Sequence, residues 1–401
     1  MADLSRRRLF GVGVGVGAAA AVGGVGLGLG AGTVAARPAK ADVVAETVPF
    51  HGEHQAGIET TPQAHATFVG LDLRPGTDRA TLVRLMRVWT DDAARLTEGR
   101  GALADTEPDL ATAPARLTVT VGFGPGAFRA AGLDDKRPSW CRPLPPFEID
   151  KLEDRWNDGD LFLHVGSDDP VTVAHALRVL LKATRGTATV RWVQRGFRRA
   201  RGSEPEGTTM RNLMGQVDGT VNPTSGSDDF AQVVWNDGAE QPWFAGGTSV
   251  VIRRIHLDLD GWDELDRPGR DEVMGRRMSD GAPLTGESEH DAPDFEATGP
   301  GGLRIIPEFS HVARARPMAP RERFQRRAYN YDEAPDGVGV SDSGLIFVAY
   351  QADVDAQYVP VQQRLAEGDM FNRWSTPIGS AVFAILPGCR KGEYLGQGLL
   401  G

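Results

Sequence analysis

Three side chains of this 401-residue chain could together move a proton and stabilise a developing negative charge. Asp218 stands in the stretch 211–223, Arg-Asn-Leu-Met-Gly-Gln-Val-Asp-Gly-Thr-Val-Asn-Pro. An ordinary aspartate has a pKa of about 3.9, so its carboxylate accepts a proton at mildly acid pH. His311 lies between Phe309 and Pro317. An imidazole binds iron through one ring nitrogen, best when the other donates to a carboxylate or carbonyl. Arg326 lies between Phe324 and Tyr331, and its guanidinium stays charged beside any forming anion. Each residue also has a plainer reading. Asp218-Gly219 is a hairpin signal and Asn222-Pro223 a second turn marker. His311 is one of eight histidines, and Arg321, Arg323, Arg326 and Arg327 would form a solvated basic run.

Composition narrows the classes. Apolar residues at 40% and charged residues at 24% describe an ordinary globular protein, long enough for two domains or one large one. Net charge is −10; residues 1–41 hold five basic residues and one acid, which leaves 39 basic and 53 acidic residues and a charge of −14 beyond them. That balance argues against nucleic acid as a partner. Cys141 and Cys389 are the only cysteines, and their spacing does not say whether they pair. Without Cys-x-x-Cys there is no thiol zinc site and no covalent haem attachment. His51, Glu53 and His54 lack a third partner at helical spacing, so a metal site there is not expected.

The N-terminus has the order of an export signal: Arg6-Arg7-Arg8, an uncharged run from Leu9 to Ala36, and Ala39-Lys40-Ala41 as a small-x-small cleavage site. The twin arginines resemble a Tat signal, which places the mature protein in the periplasm, outside the cell or on its surface. Gly11-Val12-Gly13 has no strand before it and is not a dinucleotide loop.

The elements that must position the three residues follow from periodicity. Strands are expected at 66–73, 117–123, 161–165, 189–193, 248–255, 344–350 and 381–386. Helices are expected at 78–97, 170–184, 262–278 and 354–366. Leu82, Leu85, Met86 and Trp89 share one helical face, as do Val173, Leu177, Leu180 and Leu181. Strands separated by helices in two similar halves indicate an α+β fold, split at the polar stretch 201–207. His164 and His175 read as structural histidines with satisfied ring nitrogens.

Gly215-Gln216-Val217-Asp218-Gly219-Thr220, followed by His311 with Pro317 six residues on and then by Arg326-Arg327, resembles the dye-decolorizing peroxidase family. Residues 52–58 resemble a segment near that family's start, and the likeness spans about residues 50–395. The resemblance implies two ferredoxin-like modules with antiparallel sheets and peripheral helices: 42–207, and 208–401 with the haem pocket. It implies one noncovalent haem b per chain, with His311 as axial ligand of the iron. Gly219, Thr220, Val221, Arg316, Pro317, Met318 and Arg326 would contact the haem, with Asp218 and Arg326 catalytic. Arg327 would be a surface or propionate-side residue. Arg316 and Met318 stand where the family usually has Asn and Arg around the proline. The implied activity is reduction of hydrogen peroxide through a ferryl haem, with a dye, phenol or other organic reductant as electron donor and an acidic optimum. Trp235, Trp243, Trp262, Tyr350, Tyr358 and Trp374 are candidate electron relays. Two alternatives remain open, deferrochelatase-like removal of iron from haem and a haem-binding protein without catalysis. A homo-oligomer is compatible with the sequence, which does not give the number of subunits.

Overall fold

Alternating inward and outward side chains build the strands, and each strand's two faces serve different cores. The computed structural model describes residues 44–335, 337 and 339–401, so the export segment lies outside the described residues. In chain order they form β1 (His65–Leu73), α1 (Arg79–Thr97), β2 (Thr118–Phe123), α2 (Pro125–Ala130), β3 (Leu161–Ser167), α3 (Pro170–Thr184) and β4 (Ala188–Phe197). There follow α4 (Asp228–Val234), β5 (Thr248–Leu257), α5 (Leu259–Asp263), α6 (Arg267–Met274), α7 (His311–Ala315), β6 (Gln325–Arg326) and β7 (Tyr329–Glu333). The chain ends with β8 (Asp342–Gln351), α8 (Val359–Gly368), β9 (Ser375–Ile385) and α9 (Gln397–Leu400). No described helix is long and apolar enough to cross a membrane.

The strands make one antiparallel sheet in the order β5-β9-β2-β3-β1-β4-β7-β8-β6. Pairing of β5 with β8, from Ser249↔Gln351 to His256↔Gly344, closes it into a barrel. The two halves of the ring meet at thin seams: Gly122↔Ile385 and Phe123↔Ala384 on one side, Phe197↔Asn330 on the other. Inside the barrel lie Phe68, Phe162, Trp192, Tyr329, Ile346, Tyr350 and Phe383. The next residues along β1 and β3, such as Val69 and Leu163, face an outer layer covered by α1 and α3. Asp78 and Asp169 cap those two helices by accepting from Thr81 and Thr172 backbone N–H groups.

Two expected helices differ. The stretch 262–278 is broken: Asp266 caps a new helix with Pro268 in its first turn, and Gly275 ends it in the left-handed region at φ +73°. The helix expected at 354–366 opens as a wide turn, Val354–Tyr358, before Pro360, which has no N–H to donate. Cys141 and Cys389 are both buried and free.

Candidate active site

The loop carrying Asp218 is locked by its own asparagine. Asn212 Oδ1 accepts from the backbone N–H groups of Met214 and Gln216, and Gly215 takes φ +83° at the bend. The tight turn is thus at 212–216, and Asp218 emerges after it with its N–H on Met210 O at 2.8 Å. A second turn joins Gly219 O to Asn222 N at 3.0 Å.

Arg326 sits on β6, whose two residues pair with Tyr350 and Ala349 of β8. Its free backbone edge is taken by a side chain: Asn222 Oδ1 accepts from Arg326 N at 3.0 Å and its Nδ2 donates to Arg326 O at 2.8 Å. This clamp spans 104 residues and brings Arg326 Nη1 to 2.9 Å from Asp218 Oδ1. Both side chains are mostly covered, with 21% and 12% exposed. Thr209 and Thr220 hydroxyls both donate to Glu289 Oε1, at 2.6 and 2.9 Å. Burial and the charge of Arg326 together pull the Arg276 pKa below its usual value, and burial pulls Arg198 down to about 10. Asp218 and Glu289 are carboxylates among these cations.

Arg327 departs from expectation. It is not a surface residue: its side chain is fully buried, donating to Thr60 O and, at 2.6 Å, to Gln63 Oε1. Arg327 lies just past β6, and its backbone N–H still donates to Val348 O of β8 at 2.8 Å, which holds its side chain on the face opposite Arg326.

His311 opens α7. Its Nδ1 donates to Asp369 Oδ2 at 2.6 Å, across 58 residues, and Phe371 stands edge-on with ring centroids 5.5 Å apart. Asp369 follows α8 and is almost wholly buried; its Oδ1 accepts from Phe371 N at 2.9 Å. Burial disfavours the imidazolium, but Asp369 outweighs it, so the His311 pKa lies above the usual histidine value. Arg326 lowers and Asp218 raises that same pKa, so the imidazole shares an electrostatic neighbourhood with both. With Nδ1 engaged, Nε2 is the nitrogen left to bind a metal.

The rest of the expected set divides. Thr220 joins the acid–guanidinium cluster through Glu289, while Val221 is exposed. Arg316 and Met318 line a cavity of about 310 Å³ with Arg304, Arg314 and Arg364, which does not reach Asp218 or Arg326. Arg314 Nε and Arg364 Nε are buried there without partners, and Arg316 lies over the Phe295 ring at 4.8 Å. Pro317 follows Arg316, whose carbonyl accepts from Arg364 at 2.8 Å. Of the aromatic candidates, Trp262 contacts both Trp374 and Phe371, at 5.2 and 5.9 Å between centroids, so these rings continue from His311. Tyr350 and Tyr358 are fully buried. His175 is satisfied by Asp105 at 2.8 Å. His164 is not, contrary to expectation: it stacks on Phe68 in the barrel with Nε2 unpartnered.

Asp369, Asn222, Glu289 and Arg276 were not legible as site residues. Asn222 was visible only as a turn marker, and Asp369 only as a polar residue after Gly368.

A closed antiparallel barrel flanked by helices, with an ion-paired acid and a carboxylate-anchored imidazole in one field, is an α+β architecture equipped to handle protons. Family models described as "Dyp-type peroxidase, N-terminal" and "Dyp-type peroxidase, C-terminal" match residues 55–198 and 209–390. The chain belongs to the Dyp-type peroxidase family. It is 39% identical to the dye-decolorizing peroxidase of Thermobifida fusca (strain YX) over 360 residues, 86% of this chain and 83% of that one. It is 35% identical to the deferrochelatase of Escherichia coli (strain K12) over 382 residues, 90% and 88% of the two chains. The crystal structure of a DyP-type peroxidase from Cellulomonas bogoriensis superposes with a TM-score of 0.87 at 55% identity, covering 90% of this chain and 99% of that one.

Proposed function

We propose that this protein is a haem-dependent peroxidase that reduces hydrogen peroxide and takes electrons one at a time from dyes, phenols or other organic donors. The observation that carries the reading is the Asp218–Arg326 pair at 2.9 Å, in the electrostatic neighbourhood of an imidazole anchored by Asp369. The residues fit noncovalent haem b. His311 Nε2 would hold the iron, and the unpartnered Nε atoms of Arg314 and Arg364 suit propionate carboxylates. Val221, Phe309 and Met318, which flank Asp218 and His311 in the chain, are exposed apolar side chains that a flat apolar group would cover.

Haem held by His311 Nε2 would supply a Lewis-acidic iron and the two electrons that reduction of peroxide requires. The protein supplies the proton traffic. Ionised Asp218 accepts a proton from the near oxygen and returns it to the far oxygen, which leaves as water. Arg326 holds the carboxylate in place and offsets negative charge on the departing oxygen. Asp369 keeps the His311 proton on Nδ1 and makes the ring a stronger donor. Mixing the ferric holoprotein with peroxide in a stopped-flow spectrometer tests this. The Soret band of the parent should change rapidly, and Asp218→Asn and Arg326→Leu should each be slower by about a hundredfold or more. Variants as fast as the parent would remove both residues from the chemistry.

The deferrochelatase relatives favour a second reading, release of iron from haem. Iron-free porphyrin accumulating without peroxide would support it. Each half of the sheet runs strand, helix, strand, strand, helix, strand in the spatial orders β2-β3-β1-β4 and β9-β5-β8-β7. This supports two ferredoxin-like modules, 42–207 and 208–401, with the haem in the second. The twin arginines and small-x-small site support Tat export, which a mature N-terminus at Asp42 would verify.

A further inference from the structure

Away from this cluster, a groove of about 620 Å³ lies where α3 leaves the outer face of β4 uncovered. Its floor is mostly apolar: Val173, Leu177 and Leu181 of α3 and the bare backbone of Gly196, with the Thr67 side chain of β1 beside Arg195. A side chain at Gly196 would point the other way, 2.5 Å from Tyr329 Cβ, so nothing fills the groove from beneath. Its rim is cationic. Arg178, Lys182 and Arg185 recur at helical spacing along one side of α3, and His65 and Arg195 come from β1 and β4. No carboxylate lines the groove.

Lys182 donates to Thr106 Oγ1 at 3.4 Å and lies near Asp105, but among the described residues the others have no such neighbour. Among the described residues, no ion pair engages Arg178, Lys182, Arg185 or Arg195. Other arginines have carboxylate partners, among them Arg116 with Asp168, Arg253 with Asp150 and Arg323 with Asp229. Like charges one and two turns apart on a helix repel. The helix C-terminus offsets this for Lys182 and Arg185, but not for Arg178 or for Arg195 on the facing strand. A positive-rimmed, apolar-floored groove on a chain of net charge −10 has complementarity for one kind of ligand. Its volume is that of a small-molecule site.

We propose that this groove binds a soluble amphipathic anion, an aromatic or aliphatic body carrying a sulfonate or carboxylate. The body lies on Val173, Leu177 and Leu181, and the anionic group meets Arg178 and Arg195. This site is separate from Asp218, Arg326 and His311 and does not depend on their chemistry.

The test titrates haem-loaded protein with 8-anilinonaphthalene-1-sulfonate, followed by its fluorescence, at low and high salt. The expected result is saturable binding of one probe per chain that weakens with salt. In Arg178→Gln/Arg195→Gln it should weaken about tenfold or more, with the melting temperature and the rate of reaction with peroxide unchanged. Arg178→Lys/Arg195→Lys should retain most of the affinity. Equal affinity in the Gln double variant would overturn the proposal, as would equal affinity for uncharged N-phenyl-1-naphthylamine. Charge-dependent capture of phosphatidylglycerol vesicles without binding of the soluble probe would overturn it too, by making the patch a lipid-facing surface.

Discussion

Replacing Asp369 by Asn tests the imidazole anchor with almost no change of volume. The carboxylate serves two donors at once: Oδ2 takes His311 Nδ1 at 2.6 Å and Oδ1 takes Phe371 N at 2.9 Å. An amide has one acceptor oxygen. If that oxygen faces His311, the amide NH2 confronts the Phe371 N–H. If it faces Phe371, the NH2 confronts Nδ1, and the ring proton must move to Nε2, the nitrogen needed for iron. A buried donor left unpaired costs about 1–3 kcal/mol, and exchange of a charged for a neutral acceptor costs about 1 more. In the second orientation the cost falls on haem binding itself, because the proton must return to Nδ1 against the NH2 before Nε2 can take iron. A total of about 2–4 kcal/mol then corresponds to a roughly 30- to 700-fold loss of haem affinity, at 1.4 kcal/mol per factor of ten. Transfer of haem from the holoprotein to excess apomyoglobin, read at the Soret band, measures the loss. A variant that keeps its circular dichroism and releases haem within about threefold of the parent rate would refute the assignment of Asp369.

Further perturbations follow from the same contacts. Asn222→Ala removes both hydrogen bonds to the Arg326 backbone and should cost about 2 kcal/mol in stability. It should also slow the reaction with peroxide about tenfold, and a lowered melting temperature with an unchanged stopped-flow rate would show that Arg326 needs no clamp. Burial raises the Asp92 pKa from its usual 3.8 to about 6, so between these values the folded chain holds more protons than the unfolded one, and Asp92 makes stability fall as pH rises. Asp92→Asn should therefore be more stable than the parent at neutral pH, by at most about 3 kcal/mol, with the gain vanishing near pH 3. Melting curves that differ equally at both pH values would contradict this. In Gly275→Ala the new Cβ would meet Val312 Cγ1 at 2.5 Å, on backbone of φ +73°, beside the helix that carries His311. Melting should show a loss of more than about 1 kcal/mol, and the Soret band of the holoprotein should shift.

Sequence periodicity was enough for most strands and for α1 and α3, because a helix that buries one face repeats its apolar residues locally. The bounds expected for α3, 170–184, are those observed. Asp218, His311 and Arg326 stood out as candidates only through their resemblance to a family, since each has an ordinary role when read alone. What the chain did not declare were relations between distant residues. Closure of the barrel by β5 and β8, the Asn222 clamp across 104 residues and the Asp369 anchor across 58 leave no local periodicity. The fate of Arg327 beside Arg326 was equally hidden, because which of two adjacent residues turns inward depends on how the segment docks against β8. Local spacing reports how a segment buries its own face. Which distant segment completes a charge or satisfies a carboxylate is settled only when the chain returns to it, and that is the tertiary fold.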